Sequence, residues 1–192
     1  MDGYFALGET EPEAGASKGK AEKTELAMHA SINIRDLARF IADPEHAGEI
    51  IGSIDFPPFG NDIPATHGVF NLFSPSDEPD TKYMVYELGF EHGGEPYYLA
   101  GKKVVRDDPG FDMLSDTTTL FTVLHRGRDK RGDITGAGIL TLGVTQLAKL
   151  VSTMTATNAS TTAESVKTIA RFGGFFLGEL WDSYARLAGG DD

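Results

Sequence analysis

The feature that most constrains this chain is a period of two that recurs in short runs. From Glu25 onward, Leu26, Met28, Ala30, Ile32 and Ile34 alternate with Ala27, His29, Ser31 and Asn33, as expected of a strand with one buried face. Similar runs follow at 49–56, 67–73, 82–91, 97–106, 117–125 and 134–142, parted by turns rich in Pro, Gly or Asp, which makes seven strands. The clearest turn is His92-Gly93-Gly94-Glu95, where paired glycines accept the positive φ angles of a tight hairpin. Most links are too short for a βαβ crossover, and so many antiparallel strands tend to curl and close. The expectation is a mainly β fold: an antiparallel seven- to eight-stranded meander, barrel-like, with C-terminal helices packed outside.

Two departures from this period mark helices. Asp36-Leu-Ala-Arg-Phe40-Ile41 has helical spacing behind a carboxylate, and Asp43-Pro44 ends it. After Val144, the residues Leu147, Leu150, Val151 and Met154 form a short stripe. A longer helix then begins at Thr161, with Glu164 as its capping-box partner, and runs through Val166, Ile169, Phe172, Phe176, Leu177, Leu180, Trp181 and Tyr184. Its Gly173-Gly174 pair would cost about 1 kcal/mol each if exposed, so close approach to another element is expected there, either the chain's own sheet or a second subunit. The segment 8–23 has no apolar period, so residues 1–23 read as a flexible N-terminal arm in which only Tyr4-Phe5-Ala6-Leu7 can dock. Residues 24–192 form one domain, with its helices at 144–187. Gly15-Ala-Ser17-Lys-Gly19 fits GxSxG, but a nucleophile elbow needs a buried strand before it and a helix after it, and neither is legible in such an arm.

Charge and composition exclude several roles. With 17 basic against 29 acidic residues and a formal net charge of −12, the chain repels a phosphate backbone, so nucleic acid is not an expected partner. The absence of cysteine excludes disulfides and thiol chemistry. No apolar run approaches bilayer length, so membrane insertion is not expected, and the expected location is cytoplasmic.

Five phrases, GYFALGETEPEAG, DPEHAGEIIGSIDFP, THGVFNLFSP, KKVVRDDPGFDMLSDTTTLFTVLHRG and RFGGFFLGELWDSY, span nearly the whole chain in this order. Together they resemble a bacterial domain found alone or within large polypeptides. Those polypeptides also carry a cholesterol-oxidase-like flavin oxidoreductase of the glucose–methanol–choline class and an α/β-hydrolase. The resemblance implies association with oxidation or hydrolysis of lipid-like or sterol-like substrates. The chain itself has no GxGxxG behind a strand and no serine elbow in a suitable setting. It is therefore expected to be a non-catalytic companion or binding module without a cofactor, whose partner is an apolar small molecule or such an oxidoreductase or hydrolase.

Among individual residues, Lys103 stands out. Strict alternation places it with Tyr97, Leu99 and Val105 on the apolar face, although a bulge near Gly101 would turn it outward. If inward, it requires a carboxylate or a bound anion. Lys103, Tyr86, Tyr97, Asp55 and His67 are the candidate ligand-binding residues. A small enzyme, an isomerase, cyclase or hydrolase with Lys103, Asp55 or His67 inside the barrel, is one alternative, and a structural unit that oligomerises through the C-terminal helix is another. Asp107, Asp108, Asp112 and Asp116 lack the spacing of a calcium loop and read as a capped corner, with Asp108 before Pro109 as a helix N-cap. The histidines make no HxH or HExxH pair, so no metal site is expected.

Overall fold

A computed structural model describes residues 1–78, 81–106, 118–143, 149–150 and 152–185. Eight antiparallel strands close into a barrel in sequence order. They are β1 (Asp2–Leu7), β2 (Glu25–Asn33), β3 (Ala47–Phe56), β4 (Gly60–Pro75), β5 (Thr81–His92), β6 (Glu95–Arg106), β7 (Thr119–Arg126) and β8 (Asp133–Thr141). Three helices with bounds inside the described residues accompany them: α1 (Pro12–Glu22), α2 (Leu37–Ala42) and α3 (Thr162–Ala185). The β5–β6 hairpin runs without a register shift from Thr81↔Arg106 to His92↔Glu95, and Gly93 and Gly94 take φ of 60° and 82° at its tip. The expected corner at Asp107, Asp108, Asp112 and Asp116 lies outside the described residues, as do Leu147 and Val151 of the short stripe.

The eighth strand comes from the segment read as an arm, and this corrects that reading. β1 pairs with both β2 and β8, and the contact Phe5↔Gly138 closes the barrel. The chain between β1 and β2 is helical as well. Helix α1 lies on the outer face of β1 and β8, with its Gly15 and Gly19 buried four residues apart on one side. A Cβ on Gly15 would stand 2.0 Å from the Ala137 carbonyl oxygen, and one on Gly19 would stand 2.5 Å from the Phe5 nitrogen. Beneath the helix Ala6 and Ala137 are fully buried. The association is backbone against backbone, with small residues on both sides, so it leaves no hydrophobic period to read. Ser17 is exposed on this helix, far from the geometry of a nucleophile elbow.

Helix α2 is capped by Asp36, whose carboxylate accepts from the Ala38 and Arg39 N–H groups at 2.9 and 3.0 Å. At the start of α3 the Thr161 hydroxyl accepts from Glu164 N–H, while the Glu164 carboxylate accepts from the backbone and hydroxyl of Ser160 rather than from Thr161 itself. Both helices sit at the end of the barrel where β2, β4 and β6 finish. There Phe172, Phe175 and Phe176 of α3 pack on Phe40, His46 and Phe73. Phe73, at φ 54°, lies in a register shift of β4 that turns its buried ring toward Phe176. Gly173 and Gly174 do not make the expected close approach, because a Cβ on either would meet nothing within 4 Å.

Candidate functional site

The two ends of the barrel interior are built differently. The end formed by the β3–β4 and β5–β6 turns is filled by interlocked rings. Phe56 meets Phe5 and Phe59 edge-on, each at 5.3 Å, and Phe59 lies 4.8 Å from Tyr97. Phe59 also stacks on His92 at 4.4 Å with 6° between planes. Aromatic pairs of this kind add about 0.5–1.5 kcal/mol each beyond their buried area, so this end is a rigid plug.

The end toward α2 and α3 is softer and holds a charge. Lys103, opposite Met84 in the hairpin, points inward and is 2% exposed. No bulge rotates it out, because the register through Gly101 is unbroken. Its ammonium lies 5.1 Å from the Tyr86 ring centroid, over the face of a residue two places from Met84 on the same side of β5. Around this height the register gathers Met28, Phe70, Leu120 and Leu140, all buried and apolar. Desolvation is the cause of both pKa shifts here: it lowers Lys103 from 10.5 to about 8 and raises the Tyr86 hydroxyl from 10.0 to about 12. The Met1 amino group donates to the Met28 carbonyl at 3.0 Å. Burial lowers it too, with a repulsive contribution from Lys103 that places the two cations in each other's field.

The rim of the same end is partly exposed. The register of β1 covers only Glu25, Leu26 and Ala27 of β2, whereas β2 continues along β3 to Asn33↔Glu49. Ala30 has the inward parity of Met28 yet is exposed, and the inward Tyr86 and Ile32 are only half-buried. The part of β2 beyond Ala27 is therefore the least covered part of this rim.

Of the five candidate residues, the structure brings together Lys103 and Tyr86. Tyr97 also faces inward, but in the aromatic plug at the other end. Asp55 is on the outer face, where it accepts from Asp62 N–H at 2.6 Å and pairs with His29 at 2.9 Å. These two contacts, the backbone bond first, hold its carboxyl below the ordinary range. His67 is exposed, with its ring lying across Gly89 and Nε2 3.3 Å from the Arg128 carbonyl. Neither Asp55 nor His67 lines the interior, so the expectation of acid–base groups inside the barrel is corrected at both positions. A register shift between Ala65 and His67 adds a residue to β4 and sets His67 on the outer side.

A second polar cluster has no counterpart among the sequence candidates. On the outer face of β5 and β6, Glu87 is 4% exposed, accepts from the Tyr98 hydroxyl at 2.5 Å and pairs with Lys130 at 2.8 Å. Burial and the Glu87 carboxylate both raise the Tyr98 pKa. The β7–β8 turn carries Lys130 over this face and buries it. His125 fastens the same turn, since its Nδ1–H donates to the Gly132 carbonyl at 3.0 Å. The cluster is fully paired and pins the turn to the sheet. At the opposite end of the barrel His46 is used similarly, with Nδ1–H donating to the Leu72 carbonyl at 2.8 Å.

Among the described residues no group of three or more His, Cys, Asp or Glu is placed to hold a metal ion, and no helix is long and apolar enough to cross a membrane. Compared with protein-family models, curated proteins and solved structures, the chain matches none of them.

Proposed function

We propose that the protein is a binding module whose barrel takes up an apolar small molecule through the end beside β2, with Lys103 meeting the ligand's polar end. The observation that carries this reading is the Lys103 ammonium, buried over Tyr86 in a largely apolar interior. Burying such a charge costs stability, which a merely structural position would avoid by using leucine or methionine. An eight-stranded barrel is wide enough for side chains or for one small ligand. Met28 and Met84, unbranched and easily repacked, supply the adaptable part of the wall. The positions of Asp55 and His67 outside the barrel favour binding over acid–base catalysis. Resemblance to a domain that accompanies flavin oxidoreductases and hydrolases of lipid-like substrates supports an apolar ligand and a companion role to such enzymes.

Titration with Nile red, a neutral dye that brightens in apolar surroundings, tests the reading. Saturable binding at one site in the micromolar range is expected. Ala30→Trp, which fills the entrance, should abolish it while leaving the circular dichroism spectrum unchanged. Absence of saturable binding, or binding untouched by Ala30→Trp, would sink the proposal.

A further inference from the structure

Resting on that reading, we infer that helix α3 is the moving lid of the binding end, which swings off the mouth of the barrel to admit the ligand and is latched shut by the pair Lys82–Glu179. The register fixes what lies beneath it. On the inner face of the β5–β6 hairpin Met84↔Lys103 forms one layer, and Lys82↔Val105 forms the next toward the rim. The Lys82 ammonium pairs with the carboxylate of Glu179 on α3. At the other side of the mouth Phe172 and Phe175 lie on Phe40 of α2, the helix that joins β2 to β3. Between these two anchor points Phe175 meets His46 and Phe176 meets Phe73. The helix therefore crosses the mouth from α2 to β5, just outside the layer that holds Lys103.

With α3 seated, Met84 and Lys103 are 1% and 2% exposed, so a ligand reaches them only when some part of the wall moves. The strands are poor candidates, because each is hydrogen-bonded to a neighbour on both sides around the closed barrel. The contacts of α3 are of the kind that open first. Phe172, Phe175 and Phe176 stay half-buried when docked, and the side chains of Lys82 and Glu179 are both partly exposed. Gly173, Gly174 and Gly178 lie in the same turns with open space where a Cβ would stand, so the helix gains little from its own backbone. On its far side Val166 and Leu177 are exposed and add nothing to the docking. Such an element opens at a fraction of the free energy of global unfolding, as lids that gate entry to a binding site do.

Native-state hydrogen exchange and stopped-flow mixing with Nile red test the lid. In ligand-free wild type, the amides of Phe172–Glu179 should exchange roughly a hundredfold faster than those of Met84–Leu88. For the kinetics, Lys82→Cys and Glu179→Cys are combined and joined by a reductant-cleavable bismaleimide; the natural chain has no cysteine to compete. The bridge should slow Nile red association and dissociation alike, by roughly tenfold or more, with Kd held within about twofold, and reductant should restore both rates. Unchanged rates in the bridged protein, or exchange in α3 no faster than in the hairpin, would overturn the lid and leave the binding-module reading standing. Rates that stay slow after reductant would mean that the linker merely obstructs the mouth, and would overturn the lid as well. Failure of wild type to bind Nile red would overturn both.

Discussion

Replacing Lys103 by methionine should stabilise the protein at neutral pH, and the size of the gain follows from burial. The ammonium is lowered from 10.5 to about 8 by desolvation. Each tenfold change in a protonation equilibrium is worth about 1.4 kcal/mol, so holding the charge inside the barrel costs on the order of 3 kcal/mol below pH 8. Methionine keeps a similar unbranched volume but gives up the ammonium's contacts, of which the one with Tyr86 is worth about 1 kcal/mol. A net gain of at most about 2 kcal/mol remains, or up to roughly 4–8 °C in Tm for a domain of this size. The pH profile carries a sharper signature. Between about 8 and 10 the unfolded chain keeps the Lys103 proton while the folded chain releases it, so unfolding takes up protons and wild-type stability rises with pH. Lys103→Met lacks that rise. Burial of the Met1 amino group adds a rise near and below its ordinary value of 8.0, which the variant keeps. Tyr86, raised to about 12, has the opposite sign. Above about pH 10 the unfolded tyrosine ionises first, and stability falls in both proteins. Urea denaturation at pH 7, 8.5 and 9.5 reads all of this. A variant less stable than wild type at pH 7, or a wild type whose stability does not rise above pH 8, would refute the claim that Lys103 is buried at a cost.

Other substitutions probe the remaining supports, each read from urea midpoints. Gly15→Ala should cost roughly 2 kcal/mol despite the better helix propensity of alanine, because its Cβ would collide with the Ala137 carbonyl. Gly174→Ala, with open space around it, should instead gain about 0.5–1 kcal/mol. Opposite signs for two glycine substitutions within helices are the expected pattern, and equal signs would contradict the packing described for α1. Tyr98→Phe should cost about 1–2 kcal/mol by leaving the buried Glu87 carboxylate one donor short, and should loosen the β7–β8 turn in hydrogen exchange. Asp36→Ala should cost about 1 kcal/mol through loss of two capping bonds to α2.

The alternation of Leu26, Met28 and Ile32, and of Leu99 and Val105, was enough to determine antiparallel strands and the faces they bury, because sheet periodicity is a local property of the backbone. The β5–β6 hairpin and the capping of α2 by Asp36 were legible for the same reason, as was the inward parity of Lys103, although a bulge at Gly101 stood against that parity until the register was known. Tertiary structure alone decided the rest. Helix α1 was hidden because Gly15 and Gly19 bury backbone rather than side chains, and β1 became a strand because β2 and β8 were both there to pair with it. Glu87 looks like an ordinary solvated residue on the outer face of β5 until Lys130, 43 positions later, folds over it. His67 was misplaced for a related reason, since a register shift resets which face a residue occupies, whereas Asp55 lies outside by plain alternation with the buried Ile54 and Phe56. The pairing of Lys103 with Tyr86 required the β5–β6 register, and the accessibility of Ala30 required β1 to leave part of β2 uncovered. Both arise from contacts between strands distant along the chain, which no single stretch of sequence encodes.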